Sequence, residues 1–196
     1  MCIILIFMSS RFNCSKIKQE GDEIMTADFG KAQKKAAEIL KEYRITKPPI
    51  DPEAIAEEMG VDVRYADFSP DISKKISGFI RFNRDSGNAP QIIVNKAVSP
   101  RRKIFTIAHE LGHYLLHRDY AEDDNRYQVM PRSNFYPEGK PPEEQEADCF
   151  AANLLVPEDM LRKYSAYASI ETIEKLAGIF AVSKEVILDR MRFLGV

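Results

Sequence analysis

Two histidines, His109 and His113, stand four residues apart in the segment IFTIAHELGHYLLH, with Glu110 directly after the first. An α-helix turns about 100° per residue, so positions i and i+4 share a face and two imidazoles there can meet at one point. That is how an H-E-x-x-H helix holds zinc with two ligands. Glu110 is offset on the helix and sits beside such an ion rather than on it, where a carboxylate takes a proton from water. The motif thus supplies two metal ligands, His109 and His113, and one base, Glu110. Two imidazoles and a carboxylate buried side by side would be costly to desolvate without a metal or partners.

A catalytic zinc site takes a third protein ligand and leaves its fourth position to water. His117 is the last of the three histidines in the chain, but position i+8 lies about 12 Å along the helix axis from His109. No glycine turn intervenes in YLL, so His117 reads as a helix-end or supporting group, favoured there by the helix dipole. The stretch predicted to be helical over 143–156 carries Glu143, Glu144, Glu146, Asp148 and Cys149, any of which can bind zinc in principle. Ala147, Ala151 and Ala152 are small enough to let this helix press on another, and Gly112 is the matching small site on the metal helix. That packing is expected to bring Glu146 to the metal as third ligand. Cys149 is its rival, although a small buried apolar role accounts for it more simply. One Zn²⁺ per chain suits the resulting His₂Glu set, and Mn²⁺ or Fe²⁺ would suit it too.

These groups need elements to position them. The run from Asp28 to Tyr43 puts Phe29, Ala32, Ala36, Ile39, Leu40 and Tyr43 on one side of an amphipathic helix. DPEAIAEEMG predicts a short second helix, with Asp51 as N-cap, Pro52 in the first turn and Gly60 as stop. VDVRYA alternates as a strand, and ISGFIRF and QIIVN, on either side of NRDSGNAP, predict a hairpin. The QIIVN strand, just ahead of the metal helix, is a candidate edge for adding an extended peptide. Ser99 then caps the metal helix with Pro100 in its first turn, and this helix is apolar on most sides, as a buried one would be. The fold class read from this order is α+β, with a small sheet of about three strands, the metal helix and a helical C-terminal lobe. From Arg118 to Pro142 the chain is polar and long for a loop, which makes it functional or mobile. Tyr127, Arg132 and Tyr136 there are candidate proton donors or oxyanion partners.

Composition narrows the partners. At 196 residues with a formal charge of −2, no global field draws the chain to nucleic acid or an anionic membrane. Cys2, Cys14 and Cys149 are odd in number and widely spaced, which argues against a disulfide framework and fits a reducing cytoplasm. MCIILIFM is too short to span a bilayer and lacks signal-peptide flanks. The stretch KQEGDEIM suggests that translation starts at Met25, leaving residues 1–24 outside the native product; the alternative is a short N-terminal tail. The expected division is 1–24 as that segment, 25–156 as the metallopeptidase domain and 157–196 as the C-terminal lobe.

The lobe has helix-turn-helix spacing, with Ala177, Ala181 at the turn and Ile187 on the second helix. Its six Lys/Arg are balanced by six Asp/Glu, so it lacks the basic face that DNA binding requires and reads as a docking element.

RRKIFTIAHELGHYLLH followed by EEQEADCFAANLLVP resembles the ImmA/IrrE family of zinc metallopeptidases. PPIDPEAIAEEMGVDV and SGFIRF with QIIVN are also similar to that family, so the likeness runs over about residues 30–195. The resemblance implies a zincin-like metallopeptidase domain whose third ligand is the Glu before Ala, here Glu146. The family usually has Asn after that Ala, where this chain has Asp148, which leaves open how the ligands are supported. It further implies a zinc endopeptidase that cleaves or antagonises a helix-turn-helix repressor of the Xre type. Other classes stay open: a toxin or anti-repressor acting by binding alone, or a DNA-binding regulator using the C-terminal lobe. Oligomeric state is not legible in the sequence.

Overall fold

The computed structural model describes residues 26–73, 76–82, 89–118, 140–165 and 172–195. Helix α1 (Phe29–Glu42) begins where the Asp28 side chain accepts the Lys31 backbone N–H at 2.9 Å, and it turns Ala32, Ala36 and Ile39 into the core. Helix α2 (Pro52–Glu58) is capped by Asp51, which accepts from the backbone N–H groups of Glu53 and Ala54 at 3.0 and 3.2 Å. It ends at Gly60, whose φ of +77° suits a residue without a Cβ. Strand β1 (Asp62–Ala66) follows, then a one-turn helix α3 (Pro70–Ser73), strands β2 (Gly78–Arg81) and β3 (Gln91–Asn95), and helix α4 (Pro100–Leu116). Helices α5 (Pro142–Leu155), α6 (Glu158–Ser165), α7 (Thr172–Ile179) and α8 (Lys184–Leu194) complete the chain. The α+β class expected from the order of patterns is the class observed.

The sheet order is β1-β3-β2. β3 pairs in parallel with β1, Asp62 opposite Gln91 and Ala66 opposite Asn95, and antiparallel with β2, Gly78 opposite Val94 and Arg81 opposite Gln91. QIIVN, expected as an edge, is therefore the central strand. The hairpin partner covers one side of it and β1, arriving from the preceding α/β unit, covers the other, so no peptide can add to it. Among the described residues the edges are β1 and β2.

β2 runs alongside α4. A Cβ at Gly78 would lie 2.6 Å from Thr106 Cγ2 and 2.7 Å from Ile93 O, so only glycine lets strand and helix approach there. At the other end of the strand Phe82 stacks on Tyr114, with ring centroids 6.2 Å apart. Helix α4 buries every residue from Thr106 to His113. The sheet covers one side of it and α5 the other. A Cβ on Gly112 would meet Ala147 Cα at 3.3 Å and Phe150 Cδ1 at 3.1 Å, so the small-residue contact expected between these helices is present.

The apolar core continues from Phe150 and Leu154 through Leu161 to Phe180 and Ile187 of the C-terminal helices. Buried Arg190 of α8 ties that end down, donating Nε to Val156 O at 3.0 Å and its guanidinium to Asn153 Oδ1 at 2.6 Å. Among the described residues no helix is long and apolar enough to cross a membrane.

Candidate metal centre

Helix α4 places His109 and His113 one turn apart with their Nε2 atoms 3.1 Å from each other. The carboxylate that meets them comes from α5 and belongs to Glu144: Oε2 lies 3.3 Å from His109 Nε2 and Oε1 lies 3.1 Å from His113 Nε2. All three side chains are buried, and their donor atoms lie within 4.8 Å of one another.

Glu146 is not in this set. Its Oε2 lies 2.9 Å from His117 Nε2 and its Oε1 accepts the Asp28 backbone N–H at 2.8 Å. The expectation of Glu146 beside the two imidazoles is corrected to Glu144, and helix phase is the reason. Glu144 and Asp148, four residues apart, share a face of α5, whereas Glu146 is rotated from Glu144 by about 200°. The contact of Ala147 on Gly112 puts the 144/148 face over the histidines and turns Glu146 toward α1. Glu144 was among the carboxylates the sequence offers on this helix, and its i+4 relation to Asp148 was the available signal.

Asp148 Oδ1 lies 2.9 Å from His109 Nδ1. A carboxylate accepts, so Nδ1–H donates and the lone pair of His109 is left on Nε2, facing His113 and Glu144. Asp148 makes this contact at the position where the family usually has Asn. Burial opposes ionisation of Glu144, but where His109 and His113 are protonated at Nε2 their hydrogen bonds and charge outweigh it and hold its carboxyl well below the usual range.

His117 caps the C-terminal end of α4, outside the His109–His113–Glu144 set. Burial pushes its pKa down, with Glu146 pulling the other way. Cys149, the rival ligand, is buried away from the histidines; its Sγ lies 3.4 Å from Asn153 Nδ2 and 3.8 Å from Phe29 O. Burial raises its thiol to about 11. Glu110 is buried between the two histidines on α4. Tyr127, Arg132, Tyr136, residues 1–24 and Met25 lie outside the described residues.

The donors suit a divalent metal. Ligands about 2.0–2.1 Å from a tetrahedral ion stand about 3.3 Å apart, close to the 3.1–3.3 Å separations between these nitrogen and oxygen atoms. Two imidazoles and one carboxylate, with His109 fixed in the tautomer that presents Nε2, form a His₂Glu set of the catalytic type.

A buried helix carrying two histidines under a small mixed sheet, with a carboxylate from a second helix, defines a domain of the metallopeptidase class. The family model Peptidase_M78, the IrrE N-terminal-like domain, matches residues 56–192, and the chain belongs to this ImmA/IrrE family. Its fold is also similar to that of a Mycobacterium tuberculosis transcriptional regulator, at 18% identity and a TM-score of 0.54. That match covers 82% of this chain and 46% of the regulator, so the chain spans less than half of the regulator's length. No curated protein matches the chain.

Proposed function

We propose that the protein is a zinc-dependent endopeptidase that cleaves a specific protein in the cytoplasm, a helix-turn-helix repressor of the Xre type, and thereby relieves repression. The observation that carries the peptidase reading is the buried triangle of His109, His113 and Glu144 on the helix that also carries Glu110. His109, His113 and Glu144 would hold the ion, which supplies Lewis-acid activation of water and of the scissile carbonyl when bound. Glu110 takes the proton from the attacking water and returns it to the leaving amine. Asp148 keeps His109 oriented and in the right tautomer through both steps. The packed walls of α5 and the sheet exclude bulk water from the buried side of the site, where Glu110 is only 4% exposed. The choice of an Xre-type repressor rests on the family resemblance.

The test uses zinc-loaded wild type and Glu110→Gln with a purified helix-turn-helix repressor of the Xre type as substrate. Wild type yields discrete fragments, a chelator stops it, and the variant retains zinc but cleaves about 10²- to 10⁴-fold more slowly. If the variant relieves repression as well as wild type does, binding rather than proteolysis is the activity.

A further inference from the structure

Asp148 has two oxygens, and only one is used by His109. The other, Oδ2, is in contact with the Lys140 ammonium, which stands just ahead of α5. Lys140 is held there by its backbone, whose carbonyl accepts from Gln145 Nε2 at 2.7 Å. The Lys140 and Asp148 side chains are 27% and 26% exposed, so the pair is only partly open to solvent screening. One carboxylate therefore bridges an ammonium and an imidazole of the metal centre.

The bridge has an electrostatic consequence. A lone carboxylate on His109 Nδ1 would orient the ring but add a further negative charge to a centre that already contains Glu144 and Glu110. An ammonium on the opposite oxygen cancels that charge and leaves the orientation intact. We propose that Lys140 is a charge-compensating residue of the metal centre: its ammonium offsets the charge of Asp148, so that His109 is oriented by a carboxylate without a full negative charge being added behind the donor set. The inference rests on the metallopeptidase reading above.

Three variants separate this role from a surface ion pair: Lys140→Met, Asp148→Asn and the double variant. Relative to wild type, the charge behind His109 changes by −1 in Lys140→Met, by +1 in Asp148→Asn and not at all in the double variant. Zinc affinity, read by competition with a chromophoric chelator, falls about tenfold in Asp148→Asn, where the amide oxygen still accepts the His109 Nδ1–H but Lys140 is left as an uncompensated charge. Lys140→Met binds zinc at least as tightly as wild type. Adding Lys140→Met to Asp148→Asn recovers about tenfold, the coupling expected between neighbours in one network, and Lys140→Arg matches wild type. Thermal unfolding of the metal-free variants confirms that each is folded. A double variant that binds no more tightly than Asp148→Asn overturns the role of Lys140, as does a loss of zinc affinity in Lys140→Met alone. A wild-type chain that takes up no zinc overturns the reading of the site itself.

Discussion

Glu146 Oε2 lies 2.9 Å from His117 Nε2 on the side of α5 turned away from Glu144, with both side chains buried. The same carboxylate holds the Asp28 backbone N–H, so it joins the end of α4, the middle of α5 and the start of α1. Two carboxylates two residues apart thus have separable tasks. Glu144→Gln is expected to lower zinc affinity by more than the roughly 10- to 100-fold that a supporting hydrogen bond is worth. Glu146→Gln is expected to leave zinc affinity within that range or better and to lower the unfolding free energy by about 1–3 kcal/mol, the cost of leaving buried polar groups unmatched. Chelator competition and denaturant unfolding of the metal-free chains read the two effects independently.

The approach of α4 to α5 is set by Gly112, where even a methyl group would come within 3.1 Å of Phe150 and 3.3 Å of Ala147. Gly112→Val must push the helices apart and carry Glu144 away from the histidines. Overpacking of this kind costs about 1–3 kcal/mol, and zinc affinity should fall with it. A variant that keeps both stability and affinity would show that the helices do not close on this contact.

Cys149 is a buried thiol whose pKa burial raises from 9.0 to about 11. At pH 8 its thiolate fraction is roughly a hundredfold below that of a thiol at 9.0. Alkylation of Cys149 in the native chain, followed by peptide mass mapping, should therefore be slow until the chain unfolds. The sign for stability follows from the folded value lying above the unfolded one. The contribution of the neutral thiol is fully present below pH 9 and is lost as pH rises from 9 toward about 11. Rapid alkylation at pH 8 without loss of secondary structure would contradict this placement.

Much of the frame was legible in local pattern. Asp28, Asp51 and Ser99 announce helix starts by chemistry confined to a few residues, since a short polar side chain accepts an orphan backbone N–H, and each does so in the structure. The pairing of His109 with His113 follows from helical periodicity alone. The contact of Gly112 on Ala147 was also foreseeable, because small residues are what close helix packing requires. What no local pattern carried was the phase of α5 about its own axis. Three carboxylates, Glu144, Glu146 and Asp148, sit within one and a half turns, and their helix is polar enough on several sides that the sequence does not say which face turns inward. The order of the sheet was equally hidden, since pairing β1 with β3 joins residues 29 positions apart, as in Asp62 opposite Gln91. The sequence by itself determined the pairing of the two histidines, the place of Glu110 between them and the helices that carry them, because those depend on neighbours along the chain. Only the tertiary structure decided that Glu144 faces the histidines, that Glu146 serves His117 and Asp28, and that Lys140 reaches Asp148, because a rotation of one packed helix against another is fixed by contacts between distant segments.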